Sequence, residues 1–292
     1  HPGEMAQLIS WIRPTVVVIT NAQREHQEFL KGVEASAREN AMALVSLSAK
    51  GTAVLPADDA CLPVWLEFAR ARGCKVATYA AGDTDFAVDL RATEAMGTVT
   101  MAFGSETLRL ELKMAGRHAV HDAAAAAAAA VAVGVNSRAV EAGLRSFEPV
   151  EGRGRRHVLR NGTVIIDDAY NANPDSMRAA VDMLSRLSGP RIFVAGDMAE
   201  TGGENVESYH REIGQYAREH GVDRFLAVGE AMKSAVEAFG AGARHFASRD
   251  ELTAAAMETA KTPCTMLVKA SNSMGLQHVV RDIVSELGIT DK

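Results

Sequence analysis

The sequence of 292 residues predicts an α/β protein with two domains, residues 1–150 and 151–292. Three observations support this prediction. Strand-like apolar runs alternate with helical patterns along most of the chain, the hydrophobic period changes to two between Asp85 and Leu112, and the alternation restarts at an arginine-rich stretch near Glu151. Strand–helix alternation at this spacing is typical of a mainly parallel sheet that is covered by helices.

The first domain is expected to open as a β-α-β-α-β unit. The β-branched run Thr15–Thr20 ends at Asn21 and has the pattern of a buried parallel strand. Apolar residues at helical spacing follow from Phe29 to Leu47. The remaining elements of this unit are a strand at 51–56, a helix at 62–72 and a strand at 75–79.

The rest of the first domain is expected to contain three antiparallel strands followed by helices. Period-two alternation with intervening turns predicts strands at Phe86–Leu90, Val99–Phe103 and Leu108–Leu112. The next helix carries eight consecutive alanines, Ala123–Ala130, whose small side chains favour close packing on a sheet. Another helix is expected at 138–147.

The second domain is expected to be a parallel sheet with helices on both faces, because strands and helices alternate regularly along it. Its predicted strands are Thr163–Asp167, Arg191–Ala195, Arg224–Val228 and Thr265–Lys269. Its predicted helices are Ser176–Leu187, Val206–His220, Ala231–Phe239, Arg249–Lys261 and Met274–Leu287.

Composition limits the classes of function. Hydrophobic residues make up 47% of the chain and charged residues 23%, which is typical of a globular protein and excludes disorder as the main state. The net charge of −6 argues against nucleic acid or an anionic membrane as the main partner. Three cysteines without metal-ligand spacing indicate core residues in a reducing compartment, and no apolar run approaches the about 20 residues that span a bilayer. A cytoplasmic protein is therefore expected, and its start at His1 without methionine indicates processing or a piece of a longer protein.

The first strand of the second domain ends in the strongest candidate site. The segment Asp167-Asp168-Ala169-Tyr170-Asn171-Ala172-Asn173-Pro174 places carboxylates, an aromatic ring and amides where parallel sheets bind ligands. The structural alternative is that Asn173 or Asp175 caps a helix whose first turn holds Pro174. That alternative leaves the paired carboxylates, the tyrosine and Asn171 unexplained, so a ligand-binding role is predicted.

Weaker candidates follow other predicted strands. Asp197 and Glu200 lie near the end of one strand, where solvated loop acids are the alternative. Lys269 ends a buried strand and suits a phosphate or carboxylate, although a surface lysine with a buried stem is equally consistent. In the first domain, Asn21 and His26 follow the first strand, and a single loop histidine is more often structural than a metal ligand.

Between the domains, the segment 152–156 carries three arginines that could bind a nucleotide phosphate or form a solvated turn. No G-x-x-x-x-G-K-[ST] phosphate loop is present in this chain, and no G-x-G-x-x-G follows a strand.

The segment Asp167–Met177 resembles the D-D-S-Y-N-A-N-P-x-S-M signature of the Mur ligase family. Four weaker segments are similar to further family motifs and occur in the same order, namely His1–Met5, Gly116–His118, Gly196–Glu200 with a following His210, and Leu267–Lys269. The resemblance implies that the chain covers most of a central ATPase domain and all of a Rossmann-like C-terminal domain. A first domain, the phosphate loop and a metal-binding glutamate would then lie upstream.

The resemblance also implies a reaction, in the branch that joins D-Ala-D-Ala to UDP-MurNAc-tripeptide in peptidoglycan precursor synthesis. ATP would convert the tripeptide carboxylate into an acyl phosphate that the amine attacks, and Mg²⁺ would offset the phosphoryl charge. Carried over by position, catalytic roles are implied for His26, Asp168 and Lys269, with His26 also in the metal region. Nucleotide contacts are implied for Asn21, His118, Arg153, Asp168 and Tyr170, and substrate contacts for Asn171, Asn173 and Ser176. A monomer is expected, and the chain without a phosphate loop is expected to be inactive alone.

Several positions depart from the family pattern. The asparagines on the adenine side are replaced by Ala119 and Asp122, an expected arginine is replaced by Asn272, and the helix after His26 lacks the usual lysine. These departures keep a second hypothesis open, namely a non-catalytic nucleotide- or peptide-binding module derived from a Mur ligase.

Overall fold

The structure is a computed structural model that describes residues 1–114 and 116–290. The chain forms two compact units, residues 1–148 and 149–292, and each is described by itself. Across the described residues, no helix combines the length and the apolar character that crossing a bilayer would require.

The first unit is built on a six-stranded sheet in the order β1-β2-β3-β4-β5-β6. Neighbours from β1 to β4 pair in parallel, and β5 and β6 continue the sheet in antiparallel pairing. Its strands are β1 (Val16–Val18), β2 (Thr52–Pro56), β3 (Lys75–Ala80), β4 (Leu90–Ala95), β5 (Thr98–Phe103) and β6 (Glu106–Glu111). Its α-helices are α1 (Glu4–Ile12), α2 (Val33–Ala41), α3 (Leu62–Arg72), α4 (Arg117–Ala132) and α5 (Ser137–Ser146), and a 3₁₀ helix at Met42–Ser46 follows α2.

Both faces of this sheet are buried. On one face, α2 and α3 pack around Trp65, which is fully buried and donates its indole N–H to the Ala37 carbonyl at 3.0 Å. On the other face, α4 packs its alanines against β2, β3 and β4, and Ala124 and Ala127 are almost fully buried. The alanine-rich helix therefore lies against the sheet as its sequence predicts, because side chains of one carbon allow a close approach.

One prediction for this unit is wrong, and one helix was not predicted. The strand expected at Phe86–Leu90 instead runs over Leu90–Ala95. The preceding residues bond to the edge of β3, where the Asp89 carboxylate accepts from both the N–H and the hydroxyl of Thr78, and Phe86 is about half exposed. The alternating apolar residues at 86–90 therefore do not form the predicted antiparallel strand. Helix α1 was not predicted at all.

The second unit is built on a six-stranded sheet in the order β11-β10-β9-β12-β8-β7, parallel except for β7. Its strands are β7 (Arg155–Val158), β8 (Val164–Asp167), β9 (Arg191–Gly196), β10 (Arg224–Val228), β11 (Ala243–Phe246) and β12 (Thr265–Lys269). Its α-helices are α6 (Pro174–Ser185), α7 (Val206–Glu219), α8 (Met232–Phe239), α9 (Arg249–Ala260) and α10 (Gln277–Leu287).

The core of the second unit has two layers, as the sequence predicts. Helices α6, α7 and α8 bury one face of the sheet, and α9 and α10 bury the other. The central strand β12 is buried along its whole length, which explains its continuous apolar run. The carboxyl ends of β8, β9, β10 and β12 meet at one edge, which is where ligands bind in sheets of this type.

Candidate active site in two separate units

The loops after β8 and β12 are joined by a buried ion pair. Lys269 Nζ lies 2.7 Å from Asp168 Oδ2 and 2.8 Å from the Asn171 carbonyl oxygen, to which it donates. The Lys269 side chain is 5% exposed and that of Asp168 is 21% exposed. Lys269 is therefore not a surface lysine: it holds the loop that carries the family signature.

A second contact links this loop to the arginine-rich segment. The guanidinium of Arg153 lies 3.9 Å from the centroid of the Tyr170 ring, which is 48% exposed. The backbones are joined as well, because Tyr170 donates its N–H to the Gly152 carbonyl at 3.1 Å. The two side chains form a flat cationic and aromatic surface, which suits a planar base or an anionic group.

The position of this surface depends on Asp167 and Gly152. The Asp167 carboxylate is almost fully buried and accepts from the Gly152 N–H at 2.9 Å and from the Ala169 N–H at 3.3 Å. Burial raises the pKa of Asp167, and the two backbone hydrogen bonds oppose that shift. Gly152 has φ +76° and no room for a side chain, because a β-carbon there would lie 3.0 Å from Tyr170 Cβ.

The structural alternative for Asn173 is confirmed. Its side-chain oxygen accepts from the Ser176 N–H at 2.7 Å, and the Ser176 hydroxyl accepts from the Asn173 N–H at 3.0 Å, with Pro174 in the first turn of α6. This capping box fixes the end of the site loop. The substrate-binding roles predicted for Asn173 and Ser176 therefore compete with hydrogen bonds that these groups already make. Asn171 is exposed, and its side-chain oxygen accepts from the Ala172 N–H at 2.9 Å.

The loop after β9 is held by structural contacts. Asp197 accepts from the Met232 N–H at 2.9 Å at the start of α8, so this carboxylate is not a free loop acid. The fully buried His210 accepts from the Met198 N–H through Nε2 at 2.9 Å and contacts the Val206 carbonyl through Nδ1 at 2.7 Å. Burial lowers its pKa, while the Val206 hydrogen bond and the nearby Asp197 oppose that shift. His210 is thus a neutral structural residue.

Ser271 joins three of the strand-end loops. Its hydroxyl accepts from the Ala199 N–H at 2.7 Å and contacts the Ala172 carbonyl at 3.5 Å, and its own N–H donates to the Asp197 carbonyl. Sequence analysis had no signal for this role. Together, Lys269 and Ser271 tie the ends of β8, β9 and β12 into one arrangement.

In the first unit, Asn21 and His26 lie in the loop after β1. Asn21, Glu25 and Asn40 line a cavity of about 240 Å³ at the end of that strand. The Asn40 amide donates to Glu25 Oε1 at 3.1 Å, and the Ala22 N–H donates to Asp59. His26 is exposed and has φ +50°.

A polar cluster that the sequence analysis missed lies at the same edge of the first sheet. His121 Nε2 is 3.4 Å from Asp58 Oδ1, and its ring lies 5.1 Å from that of the buried Tyr79. Burial raises the pKa of Asp58, but the contact with His121 and the backbone hydrogen bonds from Ala81 and Asp58 together outweigh this and leave the pKa below its usual value. His118 is half-buried in the first turn of the same helix, α4. The available signal was the Asp58-Asp59 pair directly after a buried strand.

The described parts of the chain contain no preformed cluster of metal ligands. No group of three or more histidine, cysteine or acidic side chains there could hold an ion. His26 offers an imidazole, whereas Mg²⁺ prefers oxygen ligands such as those of Glu25 and Asn21. All three cysteines are free thiols, and Cys264 is buried.

Comparison with known proteins identifies both units. Residues 1–130 match the model of the Mur ligase middle domain, and residues 152–272 match that of the Mur ligase, glutamate ligase domain. The chain is 32% identical to UDP-N-acetylmuramoyl-tripeptide–D-alanyl-D-alanine ligase of Escherichia coli (strain K12), over 96% of this chain and 62% of that protein. It is 30% identical to the enzyme of the same name from Mycobacterium tuberculosis, over 98% of this chain and 61% of that protein.

Solved structures give the same result. MurF from Acinetobacter baumannii superimposes with a TM-score of 0.88 at 25% identity, over 98% of this chain and 63% of that one. MurF of Thermotoga maritima in complex with ADP shares the fold, with a TM-score of 0.83 at 19% identity, over 98% of this chain and 65% of that one. The chain thus spans somewhat more than three fifths of the length of these curated relatives.

Proposed function

Because this chain belongs to the Mur ligase family, we propose that it forms the middle and C-terminal parts of a ligase that joins D-Ala-D-Ala to UDP-MurNAc-tripeptide. The observation that carries the proposal is the arrangement of the signature loop. The Asp168–Lys269 ion pair and the Arg153–Tyr170 stack hold four of the predicted site residues at the ligand-binding edge of the second sheet.

The proposed reaction makes an amide from a carboxylate and an amine. ATP, when bound, supplies its γ-phosphoryl group, so that the tripeptide carboxylate becomes an acyl phosphate and ADP is released. The dipeptide amine then attacks the acyl carbon, the C–N bond forms, and phosphate leaves while the nitrogen loses a proton to solvent. The protein has to orient both substrates and to stabilise the charge on the phosphoryl oxygens.

Residues of the second unit support these tasks. Arg153 and Tyr170 are exposed at the edge and are proposed to contact the nucleotide. Lys269 is proposed to keep Asp168 and Asn171 in place, and the side-chain N–H groups of the exposed Asn171 are proposed to contact the dipeptide. A cation buried beside the loop also offsets the carboxylate of Asp168, which would otherwise repel phosphate.

In the first unit, Asn21, His26 and His118 are proposed to contribute to the nucleotide and metal region. Mg²⁺ is proposed to be held mostly by phosphate oxygens and water, with oxygen donors from the loop after β1. Since the reaction consumes ATP, a cytoplasmic location is part of the proposal. The protein is further proposed to act as a monomer.

Phosphate release by the full-length protein encoded by the gene tests this function. The assay contains ATP and UDP-MurNAc-tripeptide, with and without D-Ala-D-Ala, and dipeptide-dependent release is expected. Asp168→Asn should reduce kcat on the order of a hundredfold, because displacement of a site group by about 1 Å has that effect. Asp282→Asn, an exposed carboxylate on α10, is the matched control and should leave the rate unchanged.

The alternative is a binding module without catalysis, and the replacements Ala119 and Asp122 favour it. Nucleotide binding without dipeptide-dependent phosphate release in the same assay would support this alternative and contradict the ligase.

A further inference from the structure

A second cavity lies at the same edge of the second sheet, away from the signature loop. It has a volume of about 560 Å³, within the range of small-molecule sites, and opens at the carboxyl ends of β10 and β11. The helix after β10 packs on one face of the sheet and the helix after β11 on the other. Adjacent strands whose helices diverge in this way leave a crevice, which is a recurrent ligand position in α/β proteins.

The lining of this cavity contains more cationic than acidic side chains. Glu230 is its one acidic lining residue, and Lys233 pairs with it at 2.8 Å. Arg249 also lines the cavity and forms no salt bridge with any described residue of the chain. The cavity therefore carries one cation whose charge is not neutralised.

The Arg249 guanidinium is directed toward the loop after β12. A β-carbon at Gly275 would lie 2.7 Å from its Nη1 atom, so the side chain passes over that glycine. Ser273 and Met274 of the same loop form part of the cavity wall, together with Phe246. The cavity thus combines a guanidinium that has no salt-bridge partner with the hydroxyl and apolar side chains of its wall. A ligand with small apolar groups would fit this lining.

We propose that this cavity binds the terminal carboxylate of the incoming D-Ala-D-Ala, with the Arg249 guanidinium as its partner. The inference rests on the proposed ligase function and assigns the dipeptide a position. A guanidinium matches a carboxylate with two parallel hydrogen bonds, and the apolar wall accepts the methyl groups.

The position of the guanidinium agrees with this assignment. Its Nη1 atom lies beside Gly275, in the loop that follows β12. An extended dipeptide spans about 7 Å. With its carboxylate at Arg249, the dipeptide can therefore direct its amine along this loop toward Lys269 at the end of β12, where the amine is needed.

The experiment compares D-Ala-D-Ala with its C-terminal amide, which lacks the negative charge. In the full-length protein, dipeptide-dependent phosphate release gives kcat/KM for each. The wild-type protein is expected to prefer the acid by about tenfold to hundredfold, the range of a charge-assisted hydrogen bond. Arg249→Gln should lose this preference while keeping the kcat/KM of the amide, which shows that the variant is folded.

Two variants complete the test. Arg249→Lys keeps the charge and should retain part of the preference. Arg218→Gln removes an exposed arginine from the last turn of α7, at the opposite edge of the sheet, and should retain all of it. If Arg249→Gln still prefers the acid as the wild type does, the inference is wrong while the ligase function stands. If the wild type releases no phosphate with either dipeptide, the proposed function fails and the inference with it.

Discussion

Lys269 shows how a single side chain can organise a site. Its ammonium group has two acceptors in the loop after β8, the Asp168 carboxylate and the Asn171 carbonyl. Both charges of the pair are largely buried, so each depends on the other for compensation. Removal of one partner therefore leaves an uncompensated charge at the edge of the sheet.

Lys269→Met is expected to destabilise the protein by about 2–4 kcal/mol, because it leaves Asp168 buried and unpaired. The double variant Lys269→Met/Asp168→Asn should recover much of that loss. Urea unfolding of the four proteins in a double-mutant cycle measures the coupling. Additive effects of the two substitutions would contradict the energetic role given to this pair.

The buried His210 is expected to make the stability of the protein depend on pH. Burial lowers its pKa, so the folded protein holds the ring neutral while the unfolded chain binds a proton near pH 6.5. The His210 contribution is therefore present above about pH 6.5 and is lost as the pH falls, by up to about 1.4 kcal/mol per pH unit. The stability difference between wild type and His210→Gln should narrow between about pH 7 and pH 5 in thermal unfolding. A constant difference over that range would show that His210 does not titrate in this way.

At the scale of elements, the site depends on how loops and helices approach one another. The segment around Gly152 packs on the loop that carries Tyr170, and α7 packs still more closely on α8. A β-carbon at Gly214 would lie 1.9 Å from the Ala235 carbonyl oxygen, so the two helices touch through their backbones. Both approaches require the absence of a side chain.

Gly152→Ala should lower stability and weaken nucleotide binding together. Alanine at φ +76° costs about 1–2 kcal/mol, and its methyl group displaces Tyr170 from the Arg153 guanidinium. Gly162→Ala is the matched control, since it has φ +88° but an empty neighbourhood. Gly152→Ala should lose at least as much stability as Gly162→Ala, because it adds the contact with Tyr170, and only Gly152→Ala should lose affinity in nucleotide titrations. If the two variants bind the nucleotide with equal affinity, the Arg153–Tyr170 contact does not contribute to nucleotide binding.

Gly214→Ala should destabilise the second unit by about 1–3 kcal/mol, because the added carbon forces α7 and α8 apart. Gly143→Ala provides the comparison in helix α5, where the space is open, and should stabilise by about 0.5–1 kcal/mol. Chemical unfolding followed by circular dichroism measures both changes. A neutral Gly214→Ala would mean that the helices can separate at little cost.

At the scale of the whole molecule, the sequence predicted the order of the central strands and of most helices, but not α1, the edge strands β7 and β11, or the contacts between elements. Long apolar runs and helical periods locate β8, β9, β10 and β12, because central strands are buried on both faces. The edge strands β7 and β11 read Arg-Arg-His-Val and Ala-Arg-His-Phe, and such sequences carry no strand signal without their neighbours.

The same limit applies to the candidate site. The rule that ligands meet strand ends placed Asp168 and Lys269 at one edge, although the two residues are 101 positions apart. No pattern in the sequence paired His121 with Asp58, since that contact depends on how α4 lies across the sheet. Asn173 was correctly given a capping alternative because its sequence context, just before a proline, is a helix start.

Each sheet has both faces covered within its own unit, which predicts that residues 149–292 fold when expressed alone. A dispersed amide spectrum and a cooperative thermal transition are the expected results. A fragment with the broad spectrum of a molten globule would show that the second unit needs the rest of the chain.

Because of the buried Trp65, tryptophan fluorescence can report on one unit separately from the other. Both tryptophans lie in the first unit, Trp65 fully buried and Trp11 71% exposed, and the second unit contains tyrosines but no tryptophan. Indole emission shifts to longer wavelength when water reaches the ring, so the Trp65 signal reports the opening of the first unit only. Far-ultraviolet dichroism reports both. A single denaturation series, recorded by both methods, therefore reveals whether the two units unfold together or in succession.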